Sequence, residues 1–323
     1  MSTTTGTMGR VRAGDGPSGV QRFAWGSLVL TLTTIVMGAV VRATHSGDGC
    51  GRFWPACEGR LVFPGTDDVS RLIEFSHRMI SGVNLIAVAI LVVLVFRAFA
   101  SGHPARRASA WTMGFLLFEA GLGAVIVLYG WVAHDRSAAR QVSVPLHLVN
   151  TFLLTAAFTY TVWTVRGGLP PVLRGSRALV RPIAALAVLL LLIAASGATT
   201  SLADTLFRSE SLAEGFRADF SQESELLVRL RVLHPFLAVG GGALLVWFAY
   251  RHLDEAERRG RPWPPRLLAG GVVAQAMLGV VHIALLTPLV TGLAHLAIAQ
   301  VLWVAFVFLA LTLLEPERAG RAI

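Results

Sequence analysis

Apolar residues along this chain gather into long runs separated by short polar segments. A helix needs about 20 mostly apolar residues to cross the hydrocarbon core of a bilayer. By that measure the pattern predicts eight spans, at roughly 24–42, 72–96, 109–130, 142–165, 182–198, 228–250, 267–287 and 289–313. The last two are parted only by a tight turn around Thr287 and Pro288. Gly and Pro inside the runs are compatible with spans, because neighbouring helices satisfy the backbone groups they free. Residues 1–23 are polar and Gly/Ser-rich. No short apolar stretch with a cleavage site follows them, so they read as a disordered tail and not as a signal peptide.

Composition agrees with the pattern. Of 323 residues, 54% are hydrophobic and only 15% charged, which is low charge for a soluble domain of this size. The formal net charge is +9, and all 28 basic residues are Arg. Most of them fall between apolar runs and not on one polar surface, which argues against nucleic-acid binding and for membrane orientation. One set of segments (the N-terminal tail, 97–108, 166–181, 251–266 and the C-terminal tail) holds 17 Arg in 77 residues; the opposite loops, 43–71, 131–141 and 199–227, hold 7 in 69. The positive-inside rule makes the richer side cytoplasmic. Both termini are then expected inside a cell membrane, with two long loops outside. The other four, Arg42, Arg78, Arg229 and Arg231, fall at the outer ends of predicted helices.

The two halves resemble each other. Gly38-Ala39 closes the first span and Gly197-Ala198 the fifth. The third span reads Glu119-Ala-Gly-Leu-Gly123-Ala-Val, and the seventh reads Gln275-Ala-Met-Leu-Gly279-Val-Val. Four helices per half make a repeat that keeps its orientation, with its axis along the membrane normal. The expected fold is all-α: two tandem, pseudo-symmetric four-helix bundles at 24–165 and 182–313. A cytoplasmic linker at 166–181 joins them, and a cytoplasmic tail at 314–323 follows.

Of nine His, His45 and His134 fall in outer loops and His103 and His252 in inner ones, where solvated polar residues are the plain reading. The other five lie within spans, where ionisable groups are rare and usually functional. His77, His147, His234 and His295 each sit six or seven residues inside the second, fourth, sixth and eighth spans. At a rise of 1.5 Å per residue that is roughly 8–10 Å below the outer boundary. Two imidazoles at one depth on different helices of a bundle can clamp a heme iron from both faces. Interhelical hydrogen bonding is the alternative for one pair, but two pairs at matching places point to ligation. Zinc or copper fits less well, because no acidic or Cys ligand joins either pair. His282 aligns with Ile126 in the first half and reads as a hydrogen-bonding residue.

Glu74 lies three residues before His77 on the same helical face. Beside a heme it would handle protons; otherwise it is a helix-start carboxylate favoured by the macrodipole. The matching place in the sixth span holds Arg231, so the two sites are expected to differ: one suits a reaction, the other an electron-carrying heme. The four outer Arg are candidates for pairing with heme propionates, with snorkelling to the interface as the alternative. Cys50 and Cys57, with six residues between them, are the only cysteines and fall in the first outer loop. In an oxidising compartment a disulfide is expected, either as a structural staple or as a redox-active pair.

The run Val40-Val-Arg-Ala-Thr, then Ser46-Gly, Gly49-Cys50 and Trp54-Pro-Ala-Cys57, resembles the first outer loop of the heme A synthases. Glu74-Phe-Ser-His77-Arg78 is similar to that family's second-helix motif, and Leu-His234-Pro, Ala-His295-Leu and His147 complete its four-His set. His45 and Asp48 depart from the loop motif. The resemblance covers nearly the whole chain. It implies an enzyme that oxidises the ring-position-8 methyl of heme O to a formyl, for cytochrome oxidase assembly. It implies cofactor heme b on His234 and His295, substrate heme O near His77 and His147, and Glu74 as the catalytic carboxylate. The implied partners are the lipid bilayer, a heme O synthase and an electron donor, with a homo-oligomer left open. A diheme electron-transfer protein and a heme transporter are the competing classes.

Overall fold

A computed structural model describes residues 17–60, 65, 67–173 and 176–317. Its helices in chain order are α1 (Ser18–Ala43), α2 (Val69–Ala98), α3 (Pro104–Leu128), α4 (Ala138–Val165), α5 (Arg177–Leu206), α6 (Leu212–Phe220), α7 (Leu226–Arg229), α8 (Leu233–Arg251), α9 (Leu253–Arg258), α10 (Trp263–Ala284) and α11 (Leu289–Leu314). Among the described residues, eight continuous helical segments are long and apolar enough to cross a membrane, with α7 and α8 counted as one. The chain is a multi-pass membrane protein.

The helices overrun the apolar runs that mark them, because polar residues cap them outside the hydrocarbon zone. Asp68 accepts the Arg71 N–H at 3.2 Å, and Ser137 accepts the Arg140 N–H at 3.3 Å. Pro104 opens α3, with the His103 ring accepting the Ala105 N–H at 3.2 Å; a first-turn Pro lacks only an N–H that would have been orphaned. The expected tail at 1–23 is shorter than its composition implies, since α1 starts at Ser18, directly after Pro17. The expected linker at 166–181 likewise gives its last residues, from Arg177, to α5. Residues 1–16 and 318–323, the outer parts of the two expected tails, lie outside the described residues.

The sixth span is not one even helix. A 3₁₀ turn, Leu230–Val232, joins α7 to α8 just before His234. Pro235 explains it, because its ring nitrogen cannot donate to the carbonyl four residues back, that of Arg231. The Thr200 hydroxyl donates to that carbonyl instead, at 3.3 Å.

In the first half α1, α2, α3 and α4 pack around one another, and in the second half α5, α8, α10 and α11 do the same. The halves also pack together, with α4 on α5 and α11, and α1 on α11. Buried share tells the positions apart: 67% of the most apolar stretch of α11 is buried against 6% for α10, so α11 is central and α10 peripheral. The apolar cores are not confined to single halves. One runs from Leu28, Leu91 and Phe158 into Phe308 of α11; the other runs from Phe248 and Leu309 into Phe152 of α4. Polar links cross the seam too: the Thr155 hydroxyl donates to Gln300 at 3.1 Å, and the Trp303 indole N–H donates to the Phe152 carbonyl at 2.7 Å. Exposed side chains such as Val83, Ile86, Ile90, Val273 and Met277 suit contact with lipid tails.

Candidate heme sites

The four histidines lie in the N-terminal parts of helices that start at the same end of the molecule. His77 is on α2, His147 on α4, His234 on α8 and His295 on α11. Each ring faces a glycine on the neighbouring helix. A Cβ placed on Gly38 of α1 would lie 3.1 Å from His77 Cε1, and one on Gly197 of α5 would lie 2.9 Å from His234 Cε1. For Gly279 of α10 and His295 the distance is 3.2 Å, and for Gly123 of α3 and His147 it is 4.0 Å. A Gly–His contact thus accompanies each of the four rings, and Gly292 makes a fifth with His282, at 3.2 Å.

The imidazole nitrogens divide into two kinds. No described hydrogen bond engages Nε2 of any of the four rings, whereas Nδ1 of His77, His147 and His295 is buried without an aligned partner. His234 is anchored: its Nδ1 lies 3.2 Å from the Ile193 carbonyl and 3.2 Å from Ser196 Oγ. A carbonyl only accepts, so the proton sits on Nδ1 and the Nε2 lone pair is free for a metal. The His234 and His295 rings are 6.3 Å apart between centroids and 75° apart in plane. Two metal–imidazole bonds of about 2.0 Å, plus two ring radii of about 1.1 Å, span about 6.2 Å. The separation of the C-terminal rings is thus compatible with one metal ion between them, and the chemistry of the residues suits heme.

The other expected site residues are engaged with protein groups. Glu74 is buried, at 2% exposure. One of its oxygens accepts from Arg78 at 2.5 Å, and the other accepts the Cys50 N–H at 2.7 Å. Arg78 also donates to the carbonyls of Phe53, at 2.6 Å, and Ala56. Cys50 and Cys57 form a disulfide with Cα atoms 4.5 Å apart. Glu74 and Arg78 thus tie the disulfide loop to α2. Arg42 bridges the halves, donating to Ser201 O at 2.9 Å, Ser201 Oγ at 2.6 Å and Thr205 Oγ1 at 3.0 Å. Arg231 pairs with Asp204 at 3.0 Å and Asp219 at 2.7 Å. Among the described residues the Arg229 guanidinium has no ion pair, so of the four it is the one with its donors uncommitted.

His282, expected to hydrogen bond, lies with Nδ1 2.7 Å from Thr291 Oγ1. The loop histidines His45 and His134 stack with ring centroids 4.2 Å apart, a contact that their wide separation along the chain does not announce. A further acid, Glu119 on α3, has Oε1 3.2 Å from His147 Nδ1. The signal for it was present as an ionisable residue inside an apolar run, but its partner on another helix was not.

The chain matches the COX15-CtaA family, described as cytochrome oxidase assembly protein, over residues 21–307. It is 40% identical over 300 residues to a Thermus thermophilus protein named protoheme IX farnesyltransferase, a match covering 91% of this chain and 48% of that protein. It is 39% identical over 108 residues to a heme A synthase of Lysinibacillus sphaericus, covering 33% of this chain and 35% of the relative. A heme A synthase of Staphylococcus aureus is 34% identical over 141 residues, covering 42% and 46%. The chain spans about half the length, or less, of these relatives. With the family profile running through all but the ends of a chain that has eight candidate spans among its described residues, the chain belongs to the COX15-CtaA family of cytochrome oxidase assembly proteins.

Proposed function

We propose that the chain is a heme A synthase, taking the ring-position-8 methyl of heme O to a formyl by successive hydroxylations. The observation that carries the reading is the doubled site: two pairs of imidazoles at one end of the molecule, each ring against a helical glycine with Nε2 free of hydrogen bonds. Heme A synthases among the relatives support it. His234 and His295 hold heme b, which accepts and passes on electrons. His77 and His147 bind heme O as substrate. Glu74 handles protons at the substrate site, held in place by Arg78 and the Cys50 N–H. Arg229 remains to meet a propionate. The positive-inside bias puts both termini in the cytoplasm and the heme sites near the outer face.

The farnesyltransferase name belongs to proteins about twice this length. The chain covers 48% of the Thermus thermophilus protein, so that name does not carry over to this chain. A protein of that activity is instead the natural source of this chain's substrate, and heme O synthase is the proposed partner.

Mass analysis of hemes extracted from the purified chain, expressed with a heme O source, tests the reading. The expected result is heme b together with heme O, heme A or a hydroxylated form between them. Heme b alone in both sites would favour a diheme electron carrier.

A further inference from the structure

We infer that Glu119 is a positioning residue for His147: it presents a carboxylate to that ring's Nδ1, strengthens Nε2 as an electron donor, and makes the two heme sites chemically unequal. The inference rests on the heme reading above.

Glu119 stands four residues before Gly123, the glycine that faces the His147 ring. Its Oε1 is 3.2 Å from His147 Nδ1. The approach does not meet hydrogen-bond geometry, so this is an electrostatic contact. The carboxylate is itself fixed. The Asn150 amide donates to Oε2 at 2.6 Å and to the Phe115 carbonyl at 3.1 Å. The Thr151 hydroxyl donates to Oε1 at 2.5 Å, in competition with the His147 carbonyl at 3.0 Å. No Arg pairs with Glu119 among the described residues, so His147 is its one ion-pair partner there. A carboxylate in a membrane span without a guanidinium partner is costly and calls for a use.

The second half lacks this arrangement. Gln275 stands four residues before Gly279, which faces the His295 ring. Its amide donates to the His295 carbonyl at 2.9 Å, and both its own Oε1 and His295 Nδ1 are buried without partners. A carboxylate beside the outer nitrogen of a metal-bound imidazole fixes the tautomer and raises ligand basicity. A neutral amide that engages only the backbone does neither. Greater donor strength stabilises ferric over ferrous iron, so the N-terminal heme should be the harder of the two to reduce on this account.

The test is a redox titration of the full-length chain, purified with its hemes and followed by the optical spectrum of each heme. Glu119→Gln should raise the midpoint potential of the N-terminal heme, leave the C-terminal heme unmoved, and weaken N-terminal heme retention about ten- to a hundredfold. Gln275→Glu, the reciprocal change, should lower the potential of the C-terminal heme. A merely structural Glu119 would not predict that gain. If Glu119→Gln empties its site, Gln275→Glu decides alone: a lowered potential upholds the inference and an unchanged one overturns it. Unchanged potentials in both heme-loaded variants overturn the inference but leave the heme reading intact. A wild-type chain that binds no heme overturns the reading, and the inference with it.

Discussion

The two halves share a scaffold and differ in what surrounds it. Each presents a pair of imidazoles against helical glycines, Gly38 and Gly123 in one half and Gly197 and Gly279 in the other. Around the N-terminal pair are two carboxylates, Glu74 and Glu119, and a disulfide loop held down by Arg78. Around the C-terminal pair the polar neighbours are neutral: Ser196 and the Ile193 carbonyl at the His234 ring, and the Gln275 amide on the His295 backbone carbonyl. Arg231, three residues before His234, is paired with Asp204 and Asp219. Holding a heme needs only the shared part. Chemistry that moves protons needs a group beside the site able to take them; among the described residues a carboxylate touches one of these rings only in the N-terminal half, Glu119 at His147. On the proposed reading the halves repeat the binding of heme, with reactivity added at a few positions next to one pair.

The comparison breaks most completely if the C-terminal pair is not a heme site. His234→Ala or His295→Ala should remove most of the low-spin heme b absorbance, because a six-coordinate iron needs both imidazoles. A full low-spin spectrum in either variant would disprove the assignment. Next in size is Glu74→Gln. Gln is nearly isosteric, and the C-terminal heme is in the other half, so the fold and heme b should persist. The ratio of heme A to heme O in membranes with a heme O source should fall about a hundredfold or more, as for loss of a general acid–base group. A wild-type ratio would leave Glu74 as no more than the tie between α2 and Cys50. Loss of heme b along with product would mark its role as structural.

Smaller again is the effect of the disulfide. Cys50 lends its N–H to Glu74, so opening the bridge should loosen the carboxylate without touching the C-terminal pair. Thiol-reactive probes on intact cells should label the chain only after reduction, and from the outside. Labelling before reduction would contradict the bridge, and labelling only from the cytoplasmic side would reverse the proposed orientation.

How far the sequence reveals this depends on whether a feature is local. Eight spans were legible because hydropathy is a sum along the chain, and the four histidines could be assigned to their helices by counting residues into each span. Helix ends were less legible: α1 and α5 run past their apolar boundaries because Pro17 and the polar first turns allow it. The break before His234 needed Pro235 to be weighed against the carbonyl of Arg231. Least legible were contacts between helices. Glu119 and Gln275 are visible as matched positions, but only the packing of α3 on α4 shows that the carboxylate reaches a ligand. Arg231 looked like a free cation at a helix end, and its neutralisation depends on Asp219 from α6, a helix outside the apolar pattern. The same holds for the glycines, which marked the repeat in sequence without disclosing that each abuts a ring.

Those glycines allow the finest test, since their clearances are graded. A methyl group on Gly197 would lie 2.9 Å from His234 Cε1, closer than real carbon contacts, and His234 is pinned by Ile193 and Ser196. Gly197→Ala must therefore push the imidazole off its anchor, at about 1–3 kcal/mol, the usual range for overpacking. At 1.4 kcal/mol per factor of ten, heme b should dissociate about ten- to a hundredfold more readily. Gly38→Ala and Gly279→Ala, at 3.1 and 3.2 Å, meet rings whose Nδ1 is not hydrogen bonded and which can yield by a few tenths of an ångström. Their effects should be smaller. At Gly123 the clearance is 4.0 Å, ordinary van der Waals contact, and Gly123→Ala should leave heme retention unchanged. Rates of heme transfer from each variant to an apo-acceptor protein would rank the four. If Gly123→Ala proved as damaging as Gly197→Ala, ring clearance would not be what these glycines supply, and close approach of the helix backbones would have to take its place.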